Sequence, residues 1–104
     1  MLRIYDVMIR VIAELKCVLV MIEAHDRDLA RQLRRAAASV ALNIGEGSGC
    51  SGGTRRQRYK DALGSAREVG ACLDVAEAFG YGVVAQSVRD GLRQVQATLV
   101  RVIV

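Results

Sequence analysis

The sequence predicts an all-α fold: an antiparallel up-down-up-down four-helix bundle forming a single domain over residues 1–104. Three observations carry this expectation. Apolar residues recur at three- and four-residue steps in four separate stretches. The 104 residues contain no Pro and only four aromatic side chains, three Tyr and one Phe. Ala, Leu and Arg, all good helix formers, are abundant. A hydrophobic share of 52% excludes disorder, and the length excludes a second domain. A chain of this size buries only about 65% of the surface its unfolded form exposes, so a partner covering more apolar surface would relieve a marginal core.

In the first predicted helix, from about Leu2 to Ala24, Ile4, Val7/Met8, Val11, Leu15, Val18/Leu19 and Ile22 form one stripe. Ile9, Ile12, Val20 and Met21 fall off that stripe, and one core cannot cover a helix that is apolar on most sides. These four residues are therefore expected at an interface between copies of the chain. Asp26 is placed to cap a second helix with the stripe Leu29, Leu33, Ala36/Ala37, Val40 and Ile44. Its small run Ala36-Ala37-Ala38-Ser39 should lie against a neighbouring helix. Glycines at 45, 47, 49, 52 and 53 predict a break.

Thr54-Arg55-Arg56-Gln57 reads as a capping box opening a third helix. Its stripe is Tyr59, Ala62/Leu63, Ala66, Val69/Gly70, Leu73 and Ala76, and Gly80 is its expected left-handed cap. A fourth helix, from Val83 or Val84 to Val102, uses Val84, Val88, Leu92, Val95, Leu99 and Val102. Short connections make consecutive helices antiparallel, with crossings of roughly 20°.

Several chemistries are disfavoured. Cys17, Cys50 and Cys72 are widely spaced and the chain has one His, so neither a zinc site nor a disulfide framework is supported, and no metal or cofactor is expected. A reduced, cytoplasmic protein fits this usage. The longest apolar run, Cys17 to Ile22, is too short for a membrane span or signal-peptide core. The glycine-rich stretch 47–54 has no G-x-x-x-x-G-K-[ST] pattern and no preceding strand, so it reads as a connector. Cys50, the thiol expected to be exposed, has no evident base beside it, and His25 flanks a cap. The expectation is a protein that is not an enzyme and has no small-molecule substrate.

Two polar features remain. Asn43 with Glu46, and Ser65 with Glu68, are each three apart and fall on adjacent helices, which predicts a structural polar network completed by Arg34, Arg35 or Arg67. The chain carries a net charge of +4, but between Arg31 and Arg67 eight cations face only Glu46 and Asp61, a local excess of six. Arg31, Arg34, Arg35, Arg55, Arg56, Arg58 and Lys60 are the candidate nucleic-acid contacts; with few aromatics available, binding would rest on phosphates. The competing reading is a self-assembling protein-only scaffold whose arginines pair with carboxylates of a neighbour.

The segment Gln32-Leu33-Arg34-Arg35-Ala36-Ala37-Ala38-Ser39-Val40-Ala41-Leu42-Asn43-Ile44-Gly45-Glu46-Gly47 resembles the Q-L-R-R-A-A-x-S-I-x-x-N-I-A-E-G signature of the 23S ribosomal RNA intervening-sequence proteins. Arg58-Tyr59 and Ala62 through Glu68 resemble that family's second block. Ala41 departs from a frequent Pro, Gly45 from a frequent Ala, and the first helix lacks a frequent Trp. The resemblance implies a four-helix bundle assembled as a homopentamer. A related branch, the accessory variability protein of diversity-generating retroelements, implies contact with a reverse transcriptase and nucleic acid. The family resemblance also marks Arg34, Arg35, Asn43, Glu46, Ser65 and Glu68 as signature residues without defining their roles.

Overall fold

The computed structural model describes residues 3–104. It contains α1 (Ile4–His25), α2 (Arg27–Ser48), α3 (Gly52–Ala78) and α4 (Gln86–Ile103). At 1.5 Å per residue α3 alone is about 40 Å long, close to the 42 Å long axis of the molecule, whose other axes are 23 and 19 Å. The helices therefore lie side by side.

Paired positions give their directions. Glu23 meets Arg34 while Tyr5 lies by Gly45; Arg58 meets Glu46 while Ser65 meets Ser39. Gln96 reaches Ala66 while Arg89 reaches Asp74, and Ser87 bonds Glu14 while Gly91 abuts Val11. In each pair one number rises as the other falls, so all four neighbouring contacts are antiparallel. Helix α1 touches α2 and α4, α3 touches the same two, and the α2–α3 contact is the most extensive.

The core is the set of predicted stripes brought face to face. Met8, Val11, Leu15, Leu33, Val40, Ile44, Val69, Leu73, Val88, Val95 and Leu99 are fully buried, and no polar or charged residue among those described joins them. Removing one large side chain such as Leu33 or Leu73 would cost about 2–5 kcal/mol. Ala36, Ala62 and Ala66 are buried too, which lets α2 and α3 approach closely. Gly91 does the same for α4, because a Cβ there would stand 2.6 Å from Val11 Cγ2. Val102, expected in the core, is instead 40% exposed, because the stripe that runs through Val95 and Leu99 continues to Ile103, which packs against the core in its place.

The connections are short. Asp26 alone joins α1 to α2 in extended backbone, and its Oδ1 accepts the Leu29 N–H at 3.0 Å, the expected cap. Residues 49–51 join α2 to α3. Here the expected break is far smaller than the glycine count suggests: Gly45 and Gly47 lie inside α2, and Gly52 and Gly53 open α3. The capping box is not formed, because α3 starts two residues before Thr54, and Gln57 bonds Asp61 instead. Gly52 makes the turn with φ +59°.

At the end of α3, Gly80 has φ +76°, the Tyr81 N–H donates to Ala76 O at 2.9 Å, and the Gly80 N–H donates to Glu77 O at 3.0 Å. This is the Schellman closure that the sequence predicted from Gly80. Helix α4 starts at Gln86 rather than at Val83 or Val84, since Glu77 Oε2 holds the Val84 N–H at 3.1 Å and keeps that residue in the connection.

Candidate functional site

The seven basic residues singled out from the sequence do not form one patch. On α2, Arg34 turns toward α1 and meets Glu23 at 3.3 Å, whereas Arg31 and Arg35 line the groove between α2 and α3. Arg55 folds back onto the end of α2, where its Nε donates to Cys50 O at 2.8 Å and Gly47 O at 3.3 Å. It satisfies carbonyls that the helix end leaves open and so acts as a cap. Arg58 points into the α2–α3 groove and pairs with Glu46 at 3.3 Å. Arg56 and Lys60 are exposed and have no carboxylate partner among the described residues.

The α2–α3 groove has a polar floor. The Asn43 amide donates to Ser39 O at 2.9 Å and Ser39 Oγ at 3.1 Å, and the Ser39 hydroxyl shares a 2.8 Å bond with Ser65 Oγ. Of the four residues expected in a network, Asn43, Glu46, Ser65 and Glu68, only Asn43 and Ser65 are joined here. Ser39 is their hub, Glu46 is held by Arg58 rather than by Arg34, Arg35 or Arg67, and Glu68 lines the groove without a bond to the serines. Ser39 was legible only through its four-residue spacing from Asn43, which puts them on one helical face. The groove walls carry Arg31, Arg35 and Arg58 against Asp28, Glu46 and Glu68. Its charges balance, so this groove exerts little net pull on a polyanion.

A second groove runs between α3 and α4, lined by Arg67, Asp74, Arg89 and Arg93 above Gly70 and Leu92. Arg89 bridges Asp74 at 2.8 Å and Glu77 at 2.6 Å. Burial pulls the Arg89 guanidinium pKa down, and the bonds and charges of Glu77 and Asp74 outweigh that, leaving it above its ordinary value. The Val84 N–H, and after it Arg89, hold the Glu77 carboxyl below its ordinary value. Together these side chains fasten the α3–α4 connection. Arg67 was read from the sequence as part of the local cation excess and as a possible partner of the polar network, not as a nucleic-acid contact, and Arg93 was not singled out; the signal for Arg67 was its seven-residue offset from Lys60.

Of the four residues expected at an interface between copies, Ile9, Val20 and Met21 are exposed, Val20 to 72%. Met21 also lies against Gly82, and Ile12 is half-buried on the chain's own core. At the same end of the bundle as Met21, His25, Tyr81 and Phe79 stack, with ring centroids 5.1 and 5.3 Å apart.

Cys17 is the exposed thiol, Cys50 is half-buried and Cys72 is buried. This reverses the expectation for Cys50, because Cys17 lies on the outer face of α1. Burial, followed by the Glu68 charge, pushes the Cys72 thiol pKa up. Among the described residues no group of His, Cys, Asp and Glu is arranged to hold a metal, and no helix is long and apolar enough to cross a membrane.

No curated protein and no solved structure matches the chain. The family model of the 23S rRNA-intervening sequence protein matches residues 2–101. With that match spanning nearly the whole bundle, the Asn43–Glu46–Gly47 signature in place and four helices as the family resemblance implied, this chain belongs to the 23S rRNA-intervening sequence protein family.

Proposed function

We propose that the protein is a non-enzymatic assembly module: copies pack through the outer face of α1, and the assembly presents basic surface to RNA or to a nucleic-acid-processing partner such as a reverse transcriptase. One observation carries the reading. Of the eight cations between Arg31 and Arg67, Arg31, Arg34 and Arg58 pair with carboxylates and Arg55 caps carbonyls. Arg35, Arg56, Lys60 and Arg67 are left without carboxylate partners among the described residues. Unpaired surface cations in excess attract a polyanion and release its counterions on contact. The exposed Ile9 and Val20 support self-association, since apolar side chains on one helical face gain from being covered.

Light scattering with a structured RNA at low and physiological salt tests this. An assembly of five 11.3 kDa chains has a mass of about 57 kDa. It should gain mass with RNA and lose the gain as salt rises. An assembly indifferent to RNA at both salts would shift the conclusion to the second reading, the protein-only scaffold. That alternative draws on the charge balance of the α2–α3 groove, which holds three arginines and three carboxylates. A stable monomer would refute self-association, and Ile9→Lys with Val20→Lys should produce one.

A further inference from the structure

We propose that the phosphate backbone of a structured RNA is met by the α3–α4 face, through Arg56, Lys60, Arg67 and Arg93, and not by the α2–α3 groove that carries the family signature. This rests on the preceding reading that the protein binds RNA at all. On α3, Arg56, Lys60 and Arg67 are offset by four and seven residues, which places them on one row along the helix. At 1.5 Å per residue the row spans about 16 Å, long enough to meet several successive phosphates of a duplex strand. Arg67 opens onto the α3–α4 groove, and Arg93 stands on its other wall.

The carboxylates on this face do not cancel the row. Asp74 is bound by Arg89, and Asp90 makes a 3.4 Å contact with Arg93, an exposed pair of the kind that contributes little and leaves the arginine free to exchange partners. By contrast, the α2–α3 groove holds as many carboxylates as cations, with Asp28, Glu46 and Glu68 beside Arg31, Arg35 and Arg58, so its net charge is near zero. Near the row, Tyr59 is buried, and the stacked rings of Phe79 and Tyr81 lie at the far end of α3. Contact is therefore with phosphates alone and carries no base sequence preference.

The salt dependence of binding to a fluorescently labelled structured RNA separates the two faces. Arg56→Gln, Lys60→Gln, Arg67→Gln and Arg93→Gln combined should lower the slope of log affinity against log salt by about 3.5 units, nearly one for each of the four lost phosphate contacts. Arg31→Gln, Arg35→Gln and Arg58→Gln combined should lower it by no more than about one unit, the share of Arg35, which has no carboxylate partner. All seven side chains are on the surface, and an unchanged helical circular-dichroism spectrum and mass confirm that each variant is folded. The reverse pattern overturns this assignment while leaving RNA binding intact. No binding by the unaltered protein at low salt overturns RNA binding itself, and this assignment with it. Displacement of the RNA by polyglutamate at equal charge concentration overturns the choice of nucleic acid in favour of an acidic polypeptide.

Discussion

The Tyr59 ring occupies the space that a side chain at Gly47 would fill: a Cβ there would stand 2.5 Å from Tyr59 Cε1 and 2.9 Å from its Cδ1. The last turn of α2 thus has its backbone against an aromatic ring from the second turn of α3, and Tyr59 is buried as a result. Gly47 closes the signature segment, and this contact gives its absent side chain a physical reason.

Gly47→Ala should therefore destabilise the bundle by about 1–3 kcal/mol, the usual cost of forcing atoms into a packed site. Gly45→Ala, two residues earlier, should stabilise it by about 0.5–1 kcal/mol, since its Cβ would meet Tyr5 Cε1 at an ordinary 3.5 Å and Ala favours helix. Urea denaturation of the two variants checks both signs. Equal effects would remove Tyr59 from the explanation.

The Ser39–Ser65 bond links α2 to α3 at a half-buried position. Ser39→Ala should cost about 0.5–1.5 kcal/mol, and more than Ser65→Ala, because it also takes away the acceptor used by Asn43. In a double-mutant cycle the two should show coupling of at least 0.5 kcal/mol in order of magnitude. Strict additivity would show that the hydroxyls contribute separately.

Glu77 makes stability depend on pH at the acid end. Its carboxyl pKa is lowered in the folded state by the Val84 N–H and by Arg89, from an ordinary 4.5. The unfolded chain then binds the proton more readily, so the contribution is fully present above 4.5 and is lost as pH falls through the lower folded value. The melting temperature of the unaltered protein should exceed that of Glu77→Gln at neutral pH, and the gap should close in acid. A gap independent of pH would exclude a charge effect at Glu77.

The three thiols should react in the order of their exposure. A thiol reagent in excess should modify Cys17 at once, Cys50 more slowly and Cys72 only on unfolding, because Cys72 is buried and its thiol pKa is raised. Mass spectrometry of digested protein sampled over time gives the order. Early labelling of Cys72 would show that α3 opens locally.

The helical stripes were readable because the 3.6-residue period of burial is written directly into the positions of Met8, Leu33, Leu73 and Leu99. The boundaries at Gly47 and Thr54 were not. Propensity assigns five glycines to a break, yet packing of Tyr59 on Gly47 holds helix where propensity opposes it. The polar site was half legible: Asn43 and Ser65 were found, while Ser39 was classed by its size. The basic face was least legible, since Arg93 lies beside Arg67 only because α4 runs back along α3.

The connections described above, of one, three and seven residues, close three of the four helix contacts locally. Only α1 against α4 must be closed across roughly sixty residues. Loop-closure entropy therefore makes the seating of Gly91 on Val11 the slowest contact to gain during refolding. Until then α1 lacks its covering helix, and the α4 of another chain fits the vacancy as well as its own. Refolding at high concentration should accordingly yield chains that have exchanged α4, an intertwined form made of the native contacts alone.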